Sequence, residues 1–130
     1  MSPDETFDGF IAFNNAAKKA GIKVAIGSSS RNAIRIIDKL DLVLAFDAIV
    51  DGGMTPNSKP APDIFLLAAE KLQTAPGECL VIEDSQAGLT AAKKAGIKSV
   101  YFGENKGMKG SVISIKSWTD ASLDIFNSLF

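Results

Sequence analysis

The sequence predicts an α/β protein in which helices cover both faces of a parallel sheet. The short apolar runs are continuous rather than alternating, and segments with helical spacing separate them. The chain has 130 residues, 46% of them apolar, so it can bury a core without help from disulfides or a structural metal, but it is short for two domains. We therefore expect a single domain over residues 1–130.

The N-terminal half is predicted to begin with a helix over residues 8–20. Gly21 supplies the left-handed residue that commonly ends a helix. An earlier start capped by Ser2 is the alternative. A strand is predicted at residues 24–26, followed by a helix at residues 34–40. A second strand is predicted at residues 48–50, followed by a loop at residues 52–59.

The C-terminal half continues the alternation of helix and strand. Residues 60–63 form a helix start, because Pro62 suits the first turn and Asp63 is favourable at the positive helix end. This helix runs through Leu72, and a later one ends with Gly96 as its left-handed residue. This later helix is predicted at residues 85–95, after a strand at residues 79–82. Two more strands are predicted at residues 99–102 and 112–115, and a closing helix at residues 120–129.

One stretch of sequence occurs twice, at residues 16–23 and 91–98. The match stops after the last lysine of each copy, so we do not interpret it as an internal duplication. Both segments instead connect a helix to a strand through a glycine in the same way.

Composition excludes several kinds of function. With no histidine, the chain has no Ser-His-Asp or Cys-His nucleophile, and with Cys79 as its one cysteine it has no internal disulfide. A net charge of −1 gives no reason to expect nucleic acid as a partner. No apolar run approaches the roughly 18 residues of a membrane span, and the acidic N-terminus is unlike a signal peptide. We expect no membrane partner and a cytoplasmic location.

Three polar clusters follow strands or lie in a loop that can reach strand ends, where an open parallel sheet binds its ligands. The first is residues 27–32, Gly-Ser-Ser-Ser-Arg-Asn. Hydroxyl and N–H donors at a strand-to-helix junction suit a phosphate. A serine-rich helix cap explains the same residues equally well, so both interpretations stay open.

The second and third clusters carry charges. Lys59 precedes Pro60 and is therefore held outside the helix, where its ammonium can be aimed, although alone the pattern favours a solvated lysine in a proline-rich turn. Glu83 and Asp84 repel each other unless a cation is present, and their oxygens suit Mg²⁺. The alternative is that Asp84 or Ser85 only caps a helix. Together the three clusters have the charges that phosphoryl transfer needs.

Residues 26–32, 58–65 and 82–88 resemble motifs two, three and four of the haloacid dehalogenase-like superfamily, and are most similar to its β-phosphoglucomutase subgroup. The resemblance covers nearly the whole chain in consistent order. It implies a Rossmann-like, three-layer α/β/α core with a parallel sheet.

The resemblance also implies roles for individual residues. Ser28 would bind the transferring phosphoryl group, Lys59 would balance its charge, and Mg²⁺ would be held by Glu83 and Asp84. The substrate would be a phosphorylated sugar, interconverted between β-glucose 1-phosphate and glucose 6-phosphate through an aspartyl phosphate. Substrate binding would fall to Ser29, Ser30, Arg31 and Asn32, the last three on the non-reacting phosphate.

One part of the family pattern has no counterpart. The family's nucleophile and its general acid/base are the aspartates of an Asp-x-Asp motif on the central first strand, whereas no two aspartates here are two positions apart. The helical cap domain is missing too, so the chain resembles the C-terminal part of the core. The missing strand would lie between the strands that end at Ser28 and Glu83. We expect the chain to be inactive alone, and we hypothesise a dimer or strand-swapped oligomer.

Three functions stay open at this point. The first is a Mg²⁺-dependent mutase of the β-phosphoglucomutase kind. Its chain would be shortened by a natural truncation, by an error in the predicted gene or by truncation for expression. The second is a sugar-phosphate phosphatase of the same superfamily, because the core motifs do not separate the two reactions. The third is a non-catalytic module that binds phosphate or Mg²⁺, or the partner of a separate chain that supplies the nucleophile.

Overall fold

The computed structural model describes residues 12–28, 46–105, 107–111 and 113–115. Within these ranges helices alternate with short parallel strands, which confirms the predicted α/β class. The helices predicted at residues 34–40 and 120–129, and both proposed starts of the first helix, lie outside the described residues.

The described strands form two parallel sheets. In the first sheet β1 (Ala25–Gly27) pairs with β2 (Ala48–Val50), and in the second β4 (Lys98–Phe102) lies between β3 (Leu80–Glu83) and β5 (Ile113–Ile115). No strand among the described residues joins β1 to β3, which is where the resemblance to the family implies that a central strand is missing.

Two strand ends correct the sequence-based boundaries. The predictions stop at Ile26 and Ile82, but the strands continue to Gly27 and Glu83. Gly27 pairs with Val50 and Glu83 pairs with Tyr101, so the neighbouring strand holds these residues in extended conformation. The sheet therefore fixes the first residue of each of these clusters, Gly27 and Glu83.

The described helices are α1 (residues 12–19), α2 (Asp63–Lys71) and α3 (Gln86–Lys94), with a 3₁₀ turn at Pro76–Glu78. α2 packs on β1 and β2, whereas α3 packs on β3 and β4. Pro62 precedes α2 rather than lying in its first turn, because its carbonyl accepts from the N–H groups of Phe65 and Leu66 and so opens the helix.

The repeated sequence forms the same helix end twice, as predicted. Gly21 and Gly96 have φ values of 81° and 75°. Ile22 N donates to Ala17 O at 2.9 Å, and Ile97 N donates to the carbonyl of Ala92 at 3.0 Å. This is the Schellman arrangement, in which a left-handed residue satisfies carbonyls at the helix end.

One core cluster joins the two sheets. Val50 of β2 and Val81 of β3 belong to it, together with Phe65 from α2 and Ala92 from α3. These side chains are at most 8% exposed. The two sheets and the helices that cover them thus share one core, in which α2 also contacts α3. Among the described residues, no helix has the length and hydropathy that crossing a membrane requires.

Asp47 ties the start of β2 to the chain entering β1. Its Oδ2 accepts from Val24 N at 2.6 Å, and its Oδ1 lies 3.5 Å from the Lys18 ammonium. The backbone hydrogen bond from Val24 is the main cause that lowers the pKa of Asp47 below its ordinary value of 3.8, and the charge of Lys18 adds to it. The ionised carboxylate therefore stabilises the folded chain.

We expect Asp47→Asn to reduce the loss of stability that the chain undergoes in acid. Because the folded pKa is lowered, the contribution of Asp47 is complete above the unfolded pKa and is lost as pH falls through the folded value. Thermal unfolding at pH 7 and pH 3 measures the loss, with the exposed Glu70→Gln on α2 as the matched control. An equal loss in wild type and Asp47→Asn would contradict this assignment.

Candidate functional site

A cavity of about 470 Å³ opens at the carboxyl ends of β1 and β3. It brings together four residues that the sequence assigns to a site: Ser28, Lys59, Glu83 and Asp84. The remaining lining residues are Gly27, Ser85 and Ala87. Ser29, Ser30, Arg31 and Asn32 lie outside the described residues, so their role in substrate binding stays a prediction.

Lys59 reaches from the loop before α2 across to β3. Its Nζ donates to Glu83 Oε2 at 2.8 Å and to Gly27 O at 3.3 Å. The Phe65 ring centre lies 5.0 Å from the same atom. With the lysine side chain 11% exposed, the interpretation of Lys59 as a solvated lysine is wrong. The proline-rich turn keeps Lys59 out of the helix, and the ion pair fixes its direction.

Glu83 is held by three donors at the end of β3. Oε2 binds Lys59, while Oε1 accepts from Asp84 N at 3.2 Å and from Ser85 Oγ at 3.1 Å. The side chain is 9% exposed. Burial alone would raise the pKa of Glu83, but the hydrogen bond and charge of Lys59 outweigh burial and leave the pKa below its ordinary value. Glu83 is therefore an ionised, oriented carboxylate.

Asp84 has the opposite electrostatic surroundings. Burial raises its pKa, and the neighbouring Glu83 carboxylate raises it further. The next residue, Ser85, caps α3, because its Oγ accepts from Gly88 N at 3.1 Å. The capping alternative is thus correct for Ser85, whereas Asp84 presents an exposed carboxylate beside a buried one. Such a pair is favourable to a cation.

Gly88 has a role that the sequence did not assign. It is the third residue of α3, and a Cβ built there would overlap the side chain of Glu83. Glu83 can fold back beside the helix only because position 88 has no side chain. A glycine so near a helix start, where it costs helix stability, is the sequence signal for such a close approach.

Gln86 fixes the loop that follows β4 beside the site. Its Nε2 donates to Lys109 O at 2.9 Å, and Lys109 N donates to its Oε1 at 3.0 Å. Asn105 N donates to the Tyr101 hydroxyl at 3.1 Å in the same loop. The loop is therefore joined to the N-terminus of α3, next to Asp84. No sequence signal for this contact exists, since its partners are far apart in the chain.

The donor set fits Mg²⁺. Within the described ranges, no group of three or more histidine, cysteine, aspartate or glutamate side chains could hold a metal. Mg²⁺ is commonly bound by one or two carboxylates, with waters and substrate phosphate completing the octahedron. Glu83 and Asp84 can supply such a pair of carboxylates, and the open cavity leaves room for the other ligands.

Residues 1–96 match the family model of the haloacid dehalogenase-like hydrolases. The β-phosphoglucomutase of Bacillus subtilis is 35% identical over 127 residues, covering 98% of this chain and 56% of that protein. The phosphorylated carbohydrates phosphatase of Thermotoga maritima is 42% identical over 86 residues, covering 65% of this chain and 40% of that protein.

Solved structures give the same result for the fold. The crystal structure of β-phosphoglucomutase from Clostridium difficile superimposes with a TM-score of 0.86 at 32% identity, covering 92% of this chain and 54% of that one. The chain therefore spans about half the length of the relatives it matches. The resemblance to part of a β-phosphoglucomutase is confirmed.

Proposed function

Because the chain belongs to the haloacid dehalogenase-like hydrolase family, we propose that its pocket serves Mg²⁺-dependent phosphoryl transfer on phosphorylated sugars, of the β-phosphoglucomutase type. The observation that carries this proposal is the 2.8 Å pair of Lys59 with Glu83, in one cavity with Asp84 and Ser28 at the carboxyl ends of β1 and β3. The name of the Bacillus subtilis relative supports the substrate class.

Each residue of the pocket has a distinct task in this proposal. Ser28, at the end of β1, donates its hydroxyl to an oxygen of the phosphoryl group, and the Lys59 ammonium balances the charge of that group. Glu83 and Asp84 hold Mg²⁺, which when bound neutralises negative charge on the transferring group. The non-reacting phosphate is gripped by Ser30, Arg31 and Asn32, with Ser29 also binding substrate.

The reaction needs a nucleophile that this sequence does not show. No Asp-x-Asp pair occurs in it, so we propose that residues 1–130 bind ligands without turning them over. An aspartate strand between β1 and β3, from another chain or segment, would complete the site. Hydrolysis is the second candidate reaction, favoured by the 42% identity to the Thermotoga maritima phosphatase.

We also propose that residues 1–130 form one partial domain. The support is the core cluster, which contains side chains from β2, β3 and the helices on both sheets.

We expect the 130-residue chain to bind Mg²⁺ weakly and to show no mutase or phosphatase turnover. Two carboxylates supply only part of an octahedral shell, so Asp84→Asn is expected to remove measurable binding. Isothermal titration with Mg²⁺ and an assay with β-glucose 1-phosphate measure the two results. Mg²⁺ binding that is unchanged in Asp84→Asn would refute the metal site. Turnover that Asp84→Asn abolishes would refute the expected inactivity.

A further inference from the structure

The contacts of the Lys59 ammonium raise a question about how the site binds an anion. Nζ donates to Glu83 Oε2 and Gly27 O, lies 5.0 Å from the centre of the Phe65 ring and also lines the cavity. An ammonium has three N–H donors and no more. An anion that binds Lys59 therefore competes with Glu83 and Gly27 for these donors. The contact with Glu83 is the one that also concerns the metal.

The pocket contains charges of both signs, so a cation or an anion that binds alone is repelled by a group of its own sign. Lys59 contributes +1, while Glu83 and Asp84 contribute −1 each. A divalent cation at Glu83 meets the Lys59 ammonium, which already holds Oε2 at 2.8 Å. A phosphate at Lys59 meets two carboxylates. When both ligands bind, each neutralises the group that opposes the other.

We propose that Lys59 couples the two ligands by exchanging partners. When phosphate draws the ammonium away, Glu83 Oε2 becomes available to the cation, so each ligand strengthens the binding of the other. This inference rests on the proposed function and adds a regulation of the same site. The burial of the pair makes the effect large, because salt screens a buried pair much less than an exposed one.

The first test measures the coupling in the wild-type chain. Mg²⁺ affinity is titrated with and without inorganic phosphate, and phosphate affinity with and without Mg²⁺, after correction for their association in solution. We expect each ligand to raise the affinity for the other by about tenfold, with the same factor in both directions because linkage is reciprocal. A factor of one overturns the proposal.

The second test uses Lys59→Gln, whose expected result has an unusual sign. Without phosphate, the variant should bind Mg²⁺ several-fold more tightly than wild type, because the competing ammonium is gone. Its phosphate affinity and its coupling factor should both fall. A lysine with a merely structural role would weaken both ligands when removed. The matched control is Lys71→Gln, an exposed lysine of α2 outside the pocket, which should change neither affinity.

Folding of Lys59→Gln is checked by circular dichroism, since breaking the ion pair also costs stability. If the variant does not fold, the side-chain ¹⁵N resonance of Lys59 in the wild-type chain replaces it. We expect that resonance to shift when phosphate is added, and an unmoved resonance overturns the proposal.

The outcomes separate this inference from the proposed function. If Mg²⁺ binding does not need Asp84, the proposed function fails, and the inference fails with it. If binding needs Asp84 but phosphate leaves it unchanged, or if Lys59→Gln lowers Mg²⁺ affinity, the inference alone fails.

Discussion

Replacing Gly88 by alanine is expected to remove Mg²⁺ binding and to lower the stability of the chain. Alanine normally stabilises a helix interior by about 1 kcal/mol relative to glycine. At this position the new methyl group would overlap the carboxylate end of Glu83. Overpacking of that kind costs about 1–3 kcal/mol, so the sign of the usual effect is reversed. The displaced carboxylate would also lose Lys59 and its place in the metal site.

Gly77 offers a matched control for this prediction. It lies in the 3₁₀ turn, and a Cβ there meets no atom within 4 Å. Gly77→Ala should therefore leave both stability and Mg²⁺ affinity close to those of wild type. Urea unfolding and Mg²⁺ titration of both variants decide the matter. A Gly88→Ala chain that is more stable than wild type and still binds Mg²⁺ would show that Glu83 is not confined as described.

The two proposed metal ligands are expected to differ in what they do for stability. Glu83→Gln should destabilise the chain by about 3 kcal/mol, because it leaves the buried Lys59 ammonium without its counter-ion. Asp84→Asn should leave stability unchanged or raise it. Both variants should lose Mg²⁺ binding. Equilibrium unfolding in urea without Mg²⁺, set beside Mg²⁺ titration, measures the two effects separately.

The difference follows from the surroundings of the two carboxylates. The pKa of Glu83 is lowered because Lys59 outweighs burial, so its charge stabilises the fold. The pKa of Asp84 is raised by burial and by Glu83, so its charge opposes folding. A carboxylate kept at a cost to stability is expected where a cation is bound. Equal destabilisation by both variants would contradict this division.

The amino-acid sequence by itself determined the class of fold and the residues that carry the charges. Continuous apolar runs predict buried parallel strands, and the repeated helix ends follow from a glycine at a fixed place after the helix. These features depend on groups within a few residues of each other. Glu83 and Asp84 were assigned because they follow a buried strand, whereas the roles of Ser28 and Lys59 came from the resemblance to the family.

Only the tertiary structure decided what those residues do to one another. The sequence alone favoured a solvated Lys59, whereas the fold buries it against Glu83, 24 positions away. The close approach of Glu83 to Gly88 and the contact of Gln86 with Lys109 likewise depend on how the chain packs in three dimensions. Local patterns report the preferences of a segment for helix, strand or turn, but a contact between distant segments is set by how strands and helices pack. The pairing of Lys59 with Glu83, on which the coupling of cation and phosphate depends, is a contact of that second kind.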